Sequence, residues 1–452
     1  MIIIKNARYI LTFDENKREL ENYDILIEKN LIKKIDKDIP IPEGAKVIDA
    51  QRHIVIPGLV NTHHHFYQTL TRALKGAQNA KLFDWLVYLY PIWAKLNEED
   101  IYYSTLLASL ELLKTGTTLT QDHMYLYPQG FRGDIPSIQF EATDKIGIRV
   151  ALSRGSMTRG KSKGGLPPDN VVQDIDTVLK HSIKTIEKFH DPSPYATRKV
   201  MLAPCSPFSV DKEVMMESAK IAREYGVILH THLAETKDEN AYCMEVYGKR
   251  PLELMEDVGW LGEDVYFAHG IWFNDDELKI LRETNTGISH CPSSNMRLGS
   301  GIARIKEMLD MNIRVSLAVD GSASNDTSDM LGEVRTAMLL QRVKYGPDAL
   351  SARDALWIAT RGGANILRFE KAGRIEEGYL ADLALFNLDS IQYAGCVEDP
   401  VACLVFTGYN HEADYTIVNG DVVIEHGKST KVDEDEIKHR TNKSARRLIS
   451  DI

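Results

Sequence analysis

At 452 residues the chain can form one large barrel with an accessory domain, or two or three smaller domains. A hydrophobic fraction of 43% and a charged fraction of 26% exclude a disordered or fibrous protein. The formal charge of -11 argues against nucleic acid or an anionic membrane as partner, and no apolar run reaches the length of a membrane span. Five scattered cysteines, Cys205, Cys243, Cys291, Cys396 and Cys403, make neither a disulfide framework nor a metal knuckle. The opening MIIIKNARY has no secretory pattern, so a cytoplasmic protein is expected.

Residues 1–57 carry short β-rich pieces, IIIKNARYILTF, YDILIEKNLIKKI and HIVIP, with Asp14 to Asn22 reading as a loop. From residue 58 to 367 the pattern changes to strand, polar loop and helix, repeated. The strand ends are GLVNTHHH, TTLTQDH, IRVALSRG, KVMLAPCS, VILHTHLAE, VYFAHG, TGISHCPSS and IRVSLAVDGS. Helices are predicted over 102–113, 171–189, 212–225, 252–258, 275–283 and 302–310. This order predicts an α/β fold, a (β/α)8 TIM-like barrel. Residues 368–430 return to β-like pieces and, with 1–57, are expected to make a discontinuous small β-sandwich-like domain. Residues 431–452 read as a charged tail, a solvated helix or frayed chain.

Polar residues mark the ends of these strands. His63 and His65 stand two apart, so both can face one side and offer imidazole nitrogens to one metal. The alternative for HHH alone is a turn in which histidines bond to backbone. His232 after VILHT and Asp320 after IRVSLAV bring two more strand ends to the same barrel mouth, where catalytic groups sit. Three imidazoles and a carboxylate suit one divalent ion, zinc by expectation and ferrous iron as the alternative. The fourth strand ends in no lysine that could bridge two metals, which favours a mononuclear centre. Glu235, three residues past His232, is placed to move a proton, and His269 to stabilise developing charge; local capping is the competing role for both.

Together PGLVNTHHH, HTHLAE, FAHG, LAVDGSASND and GRIEEGYLADLALFNLD resemble the amidohydrolase superfamily, in its branch of aminohydrolases acting on purines, pterins and triazines. The resemblance spans almost the whole chain. It implies metal ligation by His63, His65, His232 and Asp320, proton handling by Glu235, His269 and Asp320, and hydrolytic deamination of a small planar heterocycle. 8-Oxoguanine is the expected substrate; guanine, isoxanthopterin and aminated triazines compete. An amidase or chlorohydrolase could use the same ligands, and a non-catalytic scaffold is the remaining alternative. The segment QDHMY is less polar than the double-histidine form of some members. Gln68, Arg154, Cys205, His290 and Asn295 are the substrate-contact candidates, beside a wall drawn from Phe66, Tyr67, Phe83, Trp85, Tyr88, Tyr90 and Trp93. The family also implies a homo-oligomer.

Overall fold

The structure, a computed structural model, describes residues 1–450. All eight expected barrel strands form: β1 Leu59–Asn61, β2 Thr117–Met124, β3 Arg149–Ser156, β4 Arg198–Pro204, β5 Leu229–Leu233, β6 Val265–His269, β7 Gly287–His290 and β8 Val315–Leu317. They are parallel and pair in sequence order. Closure of β8 on β1 runs through the last residue of β8 and residues just beyond the two strands. Thr62 N donates to Leu317 O at 3.3 Å and Asp320 N to His63 O at 3.1 Å. Strand alternation sorts the side chains: Leu119, Ala151, Met201 and Tyr266 cluster inside the base of the barrel, whereas Val150, Leu152, Val200 and Leu202 join the large core shared with the helices.

Two further sheets make the accessory part. One, in the order 31–36, 23–28, 2–7 and 46–49, comes from the first residues alone. The other has seven strands and mixes both ends of the sequence: His53–Pro57 pairs antiparallel with Leu383–Asn387 and parallel with Tyr9–Leu11. Ile4, Ile25, Val55, Leu383 and Ile417 fill the core between the sheets. The stretch expected as a loop between Asp14 and Asn22 contains a two-residue edge strand, Glu19–Leu20.

Between β1 and β2 lies a lid with the helix Leu82–Trp93, followed by the helix Glu98–Lys114. The latter starts where it does because Asn97 and Asp100 form a reciprocal capping box and three acids fill its first turn. The charged C-terminal segment is not a free tail. Its helix Glu434–Leu448 docks on Glu98–Lys114, with Arg447 paired to Asp100 and Leu448 fully buried in the lid cluster. Among the described residues no helix is long and apolar enough to cross a membrane.

Candidate active site

The ends of β1, β5, β6 and β8 meet at one buried point. His65 Nε2 lies 3.1 Å from His232 Nε2, and Asp320 Oδ1 lies 3.4 Å from both His63 Nε2 and His65 Nε2. Nitrogens of His63, His65, His123 and His232 fall within 4.8 Å of one another, as do ligand atoms of His63, His269 and Asp320. The two sets share His63 and so describe one locus.

Hydrogen bonds fix which nitrogen of each ring is free. His65 Nδ1 donates to His123 O at 2.8 Å and His232 Nδ1 to Cys205 O at 2.7 Å, which leaves both Nε2 lone pairs turned to the locus. His63 reaches the same state through a second imidazole. His230 spends its Nδ1–H on Tyr266 O at 3.1 Å, so its Nε2 accepts the Nδ1–H of His63 at 2.8 Å. His63 Nε2 is then buried with no hydrogen-bond partner among the described residues. Burial lowers the pKa of His63, His65 and His232, keeping them neutral as metal ligation requires. For Asp320 burial works toward protonation, yet its pKa is held well below the usual carboxylate value, with His269, the imidazole whose own pKa is raised, beside it. A buried, anionic, three-imidazole set with an orphaned lone pair fits a divalent cation.

Next to it stand Glu235 and His269. His269 Nε2 is 3.6 Å from Glu235 Oε2 and 3.8 Å from Asp320 Oδ2. In β6 Phe267 belongs to the core shared with the helices, and plain alternation would put His269 on that side too. A positive φ of 71° at His269 breaks the alternation and turns the ring into the mouth. Ala234 and Asp320 also have positive φ, 53° and 63°, a conformation costly for residues with a Cβ and typical of functional sites. Glu239 holds the turn before Glu235: its carboxylate accepts from Ala234 N and Glu235 N, both at 2.9 Å. Burial pushes the Glu235 pKa up to about 7. Burial alone would lower that of His269, but Glu235 and Asp320 reverse the sign and raise it.

The cavity above the locus is lined from the barrel by Cys205, His232, Glu235, His269 and Asp320, and from the lid by Gln68, Leu82, Trp85, Leu86 and Tyr90. Its volume is about 30 Å3, the share of one water in the liquid, so a fused ring needs the lid side chains to move aside. Gln68 packs so closely on Gly321 that a Cβ there would lie 2.0 Å from Oε1. The Cys205 thiol is pushed up to about 12 by burial and stays neutral. Of the seven aromatics of the expected wall, Trp85 and Tyr90 line the cavity, while Phe66 belongs to the barrel core.

Three expected substrate contacts lie elsewhere. Arg154 follows the outward set of β3; its guanidinium stacks 4.0 Å from the Tyr127 ring and bonds His181 Nδ1 at 2.9 Å and Gln173 Oε1 at 2.7 Å. His290 shares the outward parity of Ile288, while Ser289 bonds across the barrel to Thr62 at 2.6 Å. Asn295 acts one step removed, accepting from His269 Nδ1 at 2.9 Å. Conversely, the structure brings in His123, His230 and the rest of QDHMY. Gln121 Oε1 accepts from His64 N, Asp122 Oδ1 from Phe66 N, and His123 N donates to His64 O, so this strand end clamps the ligand loop. The signal for His230 was available, because His230 and His232 are two apart just as His63 and His65 are.

The chain belongs to the amidohydrolase family, whose model matches residues 54–423. It is a metal-binding hydrolase of that family, with a buried His and Asp cluster and the chemistry of a cyclic amidine as its target. Among its relatives, 8-oxoguanine deaminase of Pseudomonas aeruginosa is 46% identical over 84% of each chain. Hydroxydechloroatrazine ethylaminohydrolase of Pseudomonas sp. strain ADP is 34% identical, over 97% of this chain and 94% of that one. Among solved structures, atrazine chlorohydrolase from Arthrobacter aurescens TC1 complexed with zinc superposes with a TM-score of 0.94 at 33% identity, covering 98% of this chain and 100% of that one.

Proposed function

We propose that the protein hydrolytically removes the exocyclic amino group of a flat, uncharged, free heterocycle, and that 8-oxoguanine, yielding urate and ammonia, is its substrate. The observation that carries the reaction class is the convergence of Glu235, His269 and Asp320 beside the ligand locus. The ring is supported by the identity to the Pseudomonas aeruginosa deaminase. The absence of lysine and arginine from the described cavity lining, and the close lid, favour a base over a nucleotide.

In this reading His63, His65, His232 and Asp320 hold one divalent ion, zinc first and ferrous iron as the alternative, which when bound acidifies a water and so supplies a nucleophile at neutral pH. Glu235 takes the proton of the attacking water and gives it to the ring nitrogen beside the amino-bearing carbon. Its pKa near 7 suits a group that must gain and lose a proton at neutral pH. His269, oriented by Asn295, donates from Nε2 to the attacking oxygen and offsets charge growing there. Asp320 accepts the remaining hydroxyl proton and passes it to the departing nitrogen. The bond from the ring carbon to the amino nitrogen breaks, the water's oxygen stays on that carbon as the carbonyl, and the amino group leaves as ammonia.

A second reading, displacement of chloride from a triazine, is favoured by the superposition on atrazine chlorohydrolase. Turnover of 8-oxoguanine, guanine, isoxanthopterin, an aminated triazine and a chlorotriazine by metal-saturated enzyme separates the two. We expect ammonia in step with urate. Chloride without ammonia would reject deamination, and a higher kcat/KM for any other ring would reject 8-oxoguanine.

A further inference from the structure

The lid contributes one polar group that the reaction just described does not use. Tyr90, on the helix Leu82–Trp93, is completely buried and lines the cavity, yet its hydroxyl meets no hydrogen-bond partner among the described residues. Three other polar groups of the cavity wall bond elsewhere, whereas the buried Tyr67 hydroxyl near Tyr90 is likewise unpartnered among the described residues. Trp85 Nε1 donates to Ala323 O at 3.3 Å, Gln68 Oε1 accepts from Ala323 N at 3.4 Å, and Ser324 Oγ donates to Gly321 O at 3.1 Å. A buried hydroxyl is rarely left alone in a folded protein, and one left alone in a ligand cavity marks a place where the ligand supplies the partner.

We infer that the Tyr90 hydroxyl is a specificity-determining contact, bonding the polar edge of the substrate ring that lies away from the amino-bearing carbon. The inference rests on the deaminase reading for its orientation. Glu235, His269 and Asp320 sit on the barrel side of the cavity and Tyr90 on the lid side, so a ring with its amino carbon at the carboxylates turns its far edge to the lid. In 8-oxoguanine that edge is a carbonyl flanked by two N–H groups, whereas guanine has C–H in place of the carbonyl. Burial keeps the phenol protonated, so it can donate to the carbonyl oxygen or accept from a ring N–H. Trading that bond for nothing is what lets a site reject the ring lacking the oxygen.

Tyr90→Phe tests this with two independent readouts. For the ligand-free holoenzyme, the variant is expected to melt at or above the wild-type temperature, because the substitution deletes an unpaired buried hydroxyl and keeps the ring. A clear fall in melting temperature would mean that the hydroxyl already has a partner, and would overturn the inference. In turnover, kcat/KM for 8-oxoguanine is expected to fall roughly tenfold through KM, with a smaller loss for guanine, so that the preference between them narrows. Equal losses on both rings, or a loss in kcat alone, would make Tyr90 a packing residue of the lid and overturn the inference. If wild-type enzyme turns over neither ring, the substrate reading fails by itself, and the melting comparison still decides whether the hydroxyl is unpaired.

Discussion

Two buried polar clusters sit at opposite ends of the barrel and are built in opposite ways. At the base, the fully buried Arg149 opens β3 and gives Nε to Asp382 Oδ2 at 2.7 Å and Nη2 to Asp382 Oδ1 and Asn419 Oδ1, both at 3.2 Å. A third guanidinium nitrogen bonds Ala196 O, and Asp382 Oδ1 also accepts from Asn419 N at 2.7 Å. The charges are matched and their donors used, so the cluster joins barrel to accessory sheet. At the mouth, His63 Nε2 is buried with no hydrogen-bond partner among the described residues, Glu235 and Asp320 face His269 at 3.6 and 3.8 Å, and His269 and Asp320 stand on backbone with positive φ. One end spends its polar groups on structure; the other withholds them for a ligand.

That contrast is sharpest in a pair of substitutions with opposite signatures. Glu235→Gln is expected to cut turnover by about 10²–10⁴-fold while metal content stays at wild type and melting temperature holds or rises, since an acid kept in an apolar site is replaced by a neutral amide. Metal loss or marked destabilisation in that variant would show Glu235 to be part of the scaffold. Arg149→Met is expected to do the reverse: about 3–5 kcal/mol of folding stability lost, read from the denaturant midpoint, with kcat unchanged. Loss of kcat in correctly folded Arg149→Met would dissolve the division between the two ends.

Smaller effects refine it. His230→Phe keeps an aromatic ring against Tyr266 but removes the acceptor for His63, so metal affinity measured by competition with a chelator is expected to fall roughly 10–100-fold. Wild-type affinity in a folded variant would show that the tautomer of His63 is set without it. Smallest of all, Arg447→Ala releases a partly exposed arginine from Asp100, and a shift in unfolding free energy of no more than about 1 kcal/mol is expected. A loss of lid closure, seen as a large rise in KM, would promote this contact from packing to function.

The barrel was legible because each strand is a short apolar run ending in a chemically loaded residue, and such ends can only gather at one rim. The gathering of His63, His65, His232, Glu235 and Asp320 at one locus follows from that rule, but other strand-end residues did not submit to it. Arg154 and His290 stand near strand ends like the ligands, yet alternation turns them outward, and a one-residue change of parity is invisible without the register. His269 errs in the other sense, since parity would exclude it and a single positive φ admits it. The docking of Glu434–Leu448 was hidden by its composition: few apolar residues are needed when Leu448 lands in an existing cluster and charges such as Arg447 find partners.

The pairing of His53–Pro57 with Leu383–Asn387 has a consequence for the order in which the chain is made. More than three hundred residues separate the two strands, and at about 5–20 residues per second a ribosome needs roughly 15–60 s to traverse them. Through that interval His53–Pro57 is outside the tunnel with its Leu383–Asn387 neighbour not yet synthesised. With Tyr9–Leu11 on one side, its other edge stays open, and an open apolar edge is a template for the wrong partner. The barrel lies between the two strands in the sequence and can assemble first, so the seven-stranded sheet is completed last, as a seam closing around an already folded centre.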